Sequence, residues 1–104
     1  MAKTSEPKLG LAVMQVLAQE PANEATVRTL IKRVPEFVNL TDDDRITSGT
    51  RIHEQIWEQR VRNLKSHHKT PGNVIADGLV EHVGHGRYRL SGEGRLRLKY
   101  NNLA

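Results

Sequence analysis

Residues 48–68 read SGTRIHEQIWEQRVRNLKSHH, and the reading of this stretch decides the fold. It is bounded by stop signals. Ser48-Gly49-Thr50 supplies capping and turn residues at the front. At the back, Pro71 in Lys69-Thr70-Pro71-Gly72 has no amide donor and disfavours helix at the residue before it. Between these limits the side chains sort by angle at about 100° per residue. Ile52, Ile56, Trp57, Val61 and Leu64 share one arc, while Arg51, Gln55, Glu58, Gln59, Arg62 and Ser66 lie opposite. The pattern predicts the longest helix of the chain, with one face packed and the other rich in Arg and Gln. Such side chains read base edges and phosphates, so the expectation is a helix that docks in DNA.

Upstream, Leu9, Ala12, Val13, Val16 and Leu17 predict a first helix over residues 8–19, ended by Glu20-Pro21. Residues 1–7 read as a loose arm ahead of one domain spanning 8–104. Asn23 is placed to cap a second helix whose apolar face is Val27, Leu30, Ile31 and Val34, closed by Pro35. Residues 36–47 form a connector pinned by Phe37, Val38 and Leu40. Within it, Thr41-Asp42-Asp43-Asp44 has the spacing of a capping box, a better account of three carboxylates than a metal site.

Downstream, Asn73 and Gly78 bracket a short helical turn. The period then changes to two. Residues 79–83 (Leu-Val-Glu-His-Val) and 87–90 (Arg-Tyr-Arg-Leu) predict a hairpin joined by Gly84-His85-Gly86, with Tyr88 and Leu90 inward and Arg87 and Arg89 outward. Ser91 caps a last helix carrying Leu96 and Tyr100, four residues apart. Three helices, a hairpin and a helix make an α+β, mostly helical chain with the layout of a winged helix-turn-helix domain, the hairpin being the wing.

Composition agrees with a small binding domain. The 104 residues allow one modest aliphatic core, since the aromatics are only Phe37, Trp57, Tyr88 and Tyr100. There is no cysteine, so disulfides and zinc–thiolate sites are excluded, and a reducing compartment, the cytoplasm, is expected. Residues 1–44 hold five Lys/Arg against seven Asp/Glu, a balance of −2. Residues 45–104 hold eleven against five, a balance of +6, with all five histidines. That asymmetry is an electrostatic footprint for a polyanion, or else a solvated surface that is merely basic.

Leu40-Thr41, Ser48-Gly49, Glu58-Gln59-Arg60-Val61, Gly78-Leu79-Val80 and the run from Gly86 to Gly94 (GRYRLSGEG) carry a resemblance. Together they are similar to the N-terminal winged-helix domain of Mrr-type restriction endonucleases, over roughly residues 9–98. The resemblance implies a double-stranded DNA-binding module from a restriction or defence system, of the kind that also senses methylated or otherwise modified bases. The partner it implies is a nuclease, fused or separate. The chain departs from the family in two ways. Residues 65–73 lengthen the segment after Arg60-Val61, leaving open whether residues 48–68 or the turn at 73–77 enters the groove. The acidic nuclease motif is also lacking.

The candidate DNA contacts fall in three groups. Ser48, Thr50, Arg51 and Gln55 lie at the start of the expected long helix, where phosphates and base edges are met. Arg62 and Lys69 follow on its polar side and past its end. His85, Arg87 and Arg89 occupy the wing, where they either reach a flanking phosphate or protect a strand edge. Trp57 is expected in the core, His53 as a capping or core-edge histidine, and Arg60 in a pair with an acid at the rim. The paired histidines His67-His68 with His82 and His85 make a poor zinc set without cysteine. No triad or phosphate-cradling loop marks an enzyme, and neither cofactor nor metal is expected. Two alternatives remain: a winged helix for protein–protein interaction, and a transcription regulator. Without a coiled-coil element the chain reads as a monomer.

Overall fold

The computed structural model describes residues 2–49 and 53–103. Helix α1 (Glu6–Gln19) is followed by a short strand β1 (Glu24–Thr26) and helix α2 (Val27–Arg33). A connector leads to α3 (Ile56–Arg62), then to strands β2 (Val80–Gly84) and β3 (Arg87–Leu90) and helix α4 (Gly92–Tyr100). The sheet is antiparallel, in the order β1-β3-β2. This is a mostly helical α+β domain of winged-helix-like topology. No helix among the described residues is long and apolar enough to cross a membrane.

Local signals account for much of this. Ser5 caps α1 through the Lys8 amide, and Leu9, Val13, Val16 and Leu17 are buried along one face. Thr4, in the leading segment, is buried and hydrogen-bonded to Asp44. Thr26, not Asn23, caps α2. Ala22 and Asn23 are left-handed (φ 59° and 58°), and that turn sends the chain into β1, which pairs Ala25 with Tyr88 of β3. The three-residue β1 is too short for its alternation to mark a strand, and it exists through this pairing.

The long helix expected over residues 48–68 is not formed. Among the described residues of this stretch only Ile56–Arg62 is α-helical, and Leu64–His67 is a 3-10 turn. At the front, residues 44–48 and 54–57 double back on each other. Thr47 bridges Gln55, the Ser48 amide donates to the Glu54 carbonyl, and the amides of Ile56 and Trp57 donate to the carbonyls of Ile46 and Asp44. Backbone carbonyls thus satisfy the donors that open α3. At the back, the Tyr88 hydroxyl is inserted into the helical ladder. It accepts from the Lys65 amide and donates to the Arg62 carbonyl, each at 3.3 Å. A side chain placed in this way breaks a helix.

The hairpin and its cap follow the sequence closely. Tyr88 and Leu90 are buried, Arg87 and Arg89 exposed, and the Ser91 hydroxyl accepts from the Gly94 amide. The α4 face does not: Leu98 is 0% exposed, while Leu96 is 59% and Tyr100 90% exposed. Gly94 decides this rotation, because a Cβ there would overlap the Leu79 carbonyl oxygen, so α4 lies directly on the base of the hairpin.

Candidate nucleic-acid interface

Helix α3 was the expected reading element, yet each of its residues is buried or half-buried. Trp57 is in the core, and its indole N–H donates to the Gln55 side chain at 2.8 Å. The Gln55 amide donates to Glu58, so Gln55 caps the helix from within rather than projecting from it. The Ser48 hydroxyl donates to Gln59 at 2.7 Å, and Ser48 is itself buried. Arg60 donates to the Thr4 carbonyl and pairs with Glu6, as its place at the rim suggested. Arg62 pairs with Glu54 at 3.0 Å. Thr50 and Arg51 lie outside the described residues. His53 is an exposed turn residue and not a core-edge one, because the chain there is a loop and has no apolar face.

The alternative segment, residues 73–78, is a series of turns. Asn73 is 0% exposed; its side-chain oxygen accepts from the Ile75 and Ala76 amides, and its nitrogen donates to the Leu64 carbonyl. Asn73 caps this turn as expected, and Gly78 ends it with φ +74°. Val74 and Asn73 hold the segment against the domain, while Ala76, Asp77 and Gly78 are exposed.

The wing separates its charges by face. The register sets His82 opposite Tyr88 and Glu81 opposite Arg89. Successive side chains alternate across a strand, so Glu81, Arg87 and Arg89 share the outer face. There Arg87 pairs with Glu24 of β1 at 2.9 Å, and Arg89 lies 3.6 Å from Glu81. Both arginines are therefore partly neutralised within the fold. His85 is exposed at the tip, beside Gly86 with φ +65°.

Other cations are left unpaired. Lys65 and Lys69 are among several that have neither a hydrogen bond from the side chain nor an ion pair among the described residues, and both are exposed. Lys65 lines a cleft of about 300 Å³ between the end of α3, the start of α2 and the inner face of the hairpin. Asn63, His82 and His85 line it too, and no acidic residue does. His82 sits against the Tyr88 ring with centroids 5.5 Å apart. Of the residues marked in the sequence, Arg62 and His85 are brought together here, whereas Ser48, Gln55, Arg87 and Arg89 are not. Asn63, Lys65 and His82 were missed as contacts. Lys65 stands next to the basic run His67-His68-Lys69, which was a usable signal; nothing local marks Asn63.

Comparison with family models, with curated proteins and with solved structures finds no match in any of the three.

Proposed function

We propose that this chain is a double-stranded DNA-binding module of winged-helix-like form. The observation that carries the reading is the gathering of unpaired basic side chains around the cleft beside the wing, in the half of the sequence that is net positive. The resemblance to Mrr-type N-terminal domains extends it: the module is the target-recognition part of a restriction or defence system, acts with a nuclease, and senses a methylated base. Docking proceeds through the end of α3 and the wing, because the polar side chains of α3 are engaged within the fold.

Fluorescence anisotropy with short labelled duplexes at two salt concentrations tests this. The duplexes are unmodified, or carry N6-methyladenine or 5-methylcytosine. Tight binding to one modified duplex that survives the higher salt supports the sensing role. Equal, salt-sensitive binding to all supports a general DNA module and removes the modified base. No binding at low salt overturns the DNA reading.

One observation favours a second reading, protein–protein interaction: Leu96 and Tyr100 stand exposed four residues apart on α4. Sedimentation of the wild type against Leu96→Ser/Tyr100→Ser checks it, with a concentration-dependent shift lost in the variant as the supporting result.

A further inference from the structure

We infer that the cleft between the end of α3 and the hairpin is a seat for a phosphate group, held by Asn63, Lys65, His82 and His85; that the phosphate belongs to a DNA backbone rests on the function proposed above.

Arg33, Arg60, Arg62, Arg87 and Arg89 are each within 4.0 Å of a carboxylate of this chain. Other cations, such as Lys3, Arg28, Arg95 and Lys99, have no ion pair among the described residues, so what sets this site apart is convergence on one concavity. The side chains of Asn63, Lys65, His82 and His85 have neither hydrogen bond nor ion pair among the described residues, and no acid lines the cavity. Three different elements deliver these donors. Asn63 and Lys65 come from the chain leaving α3, His82 from β2, and His85 from the wing tip. Arg62, at the cleft wall with its Glu54 partner, adds little further charge.

Donors without acceptors around a concave surface are what an oxyanion needs. An ammonium, an amide N–H and imidazole N–H groups all donate and match the acceptor-only oxygens of a phosphodiester. At about 300 Å³ the cleft lies at the lower end of small-ligand pockets, with room for a phosphate and its sugar rather than a base pair. The wall is fixed: Tyr88 is buried beneath it, joined through its hydroxyl to Arg62 and Lys65.

Two of the four ligands are histidines, whose ring N–H groups donate to an oxyanion. The other charged groups at this site are Lys65 and the Arg62–Glu54 pair. Glu81 is on the opposite face of the hairpin with Arg89, and α2 contributes Val27 to the wall, with exposed Arg28 next to it. Glu54 is held by Arg62, and no carboxylate lines the cleft itself.

The test uses the full chain and two probes, inorganic phosphate and a short unmodified duplex. Imidazole and amide resonances are followed by NMR, and duplex affinity by anisotropy. Saturable shifts of His82, His85 and Lys65 are expected with both probes. Lys65→Gln/His85→Gln should weaken the duplex about tenfold, as expected for the loss of one or two phosphate contacts. Arg87→Gln should change it less than about twofold. Lys65 and His85 are exposed, so the variant is expected to fold, and circular dichroism confirms this. A duplex that binds while the cleft resonances stay still overturns the seat and leaves the DNA reading standing. Phosphate shifts in the cleft without duplex binding support the seat and overturn the DNA reading. Silence from both probes overturns both.

Discussion

Asp44 is 0% exposed, yet it is ionised in the fold. Burial raises its pKa, but the hydrogen bonds from Thr4 and Thr41 together outweigh burial and hold it below the ordinary aspartate value. The Thr4 amide and hydroxyl donate at 2.8 and 2.5 Å, and the Thr41 amide at 2.8 Å. Arg60 stands 3.9 Å away. A carboxylate with a native pKa below its unfolded one stabilises the fold above the unfolded value, and that stability is lost as pH falls through the native value. Asp44→Asn should therefore cost about 1–3 kcal/mol near neutrality, the range for buried groups losing partners. Urea midpoints taken at descending pH should show the gap to wild type closing in acid. At this scale the sequence was partly legible. Thr41 and Asp44 do form the capping box, through the Asp44 amide on the Thr41 hydroxyl and the Thr41 amide on the carboxylate. That Asp44 would also hold Thr4, 40 residues away, has no local signature.

Helix periodicity identified α1, α2 and the centre of α3, because each buries a stripe of its own side chains. It overextended α3 for a tertiary reason: the Tyr88 hydroxyl takes the Lys65 amide and the Arg62 carbonyl from the helical ladder. Tyr88→Phe leaves those two groups without this partner and should cost about 1–2 kcal/mol. Amide exchange at Lys65 should speed up more than exchange at Val61, and equal protection at both sites would contradict the insertion. Helix α4 gives a sharper contrast. Leu98→Ala should cost roughly 2–5 kcal/mol as a buried deletion, and Leu96→Ala less than about 0.5 kcal/mol as an exposed one. Thermal melts of the two variants check which face is inward. Sequence spacing could not choose between Leu96/Tyr100 and Gly94/Leu98, since both pairs are four apart. The close approach of Gly94 to Leu79 settles it.

Over the whole molecule, the charge asymmetry was visible in the sequence, but its distribution over the surface was not. Half-by-half counting treats every arginine as available. In the folded chain Arg87 and Arg89 are drawn to Glu24 and Glu81, and Arg60 to Glu6. Among the described residues of this half the charge left unpaired is on Arg45, Lys65, Lys69, Arg95, Arg97 and Lys99, and of these Lys65 lines the cleft beside the wing. The salt dependence of duplex binding should follow this distribution. Lys65→Gln should lower the slope of log affinity against log salt by about one, and Arg87→Gln should leave it unchanged. A slope that responds to Arg87 alone would place the contact on the outer face of the wing. The hairpin register was legible because alternation places Tyr88 and Leu90 inward. Strand β1 was not, because its only reason to be extended is a partner more than 60 residues away.

That separation bears on how the chain is made. Thr4 and Glu6 emerge from the ribosome well before Asp44 and Arg60, and Glu24 long before Arg87. Until then Leu9, Val13 and Leu17 have little to cover them. The first half must wait, apolar face open, for the last strand of the sheet, so completion comes only after most of the chain has been synthesised. A ribosome-stalled chain ending before Arg87 should remain protease-sensitive throughout α1, however well that helix forms by itself.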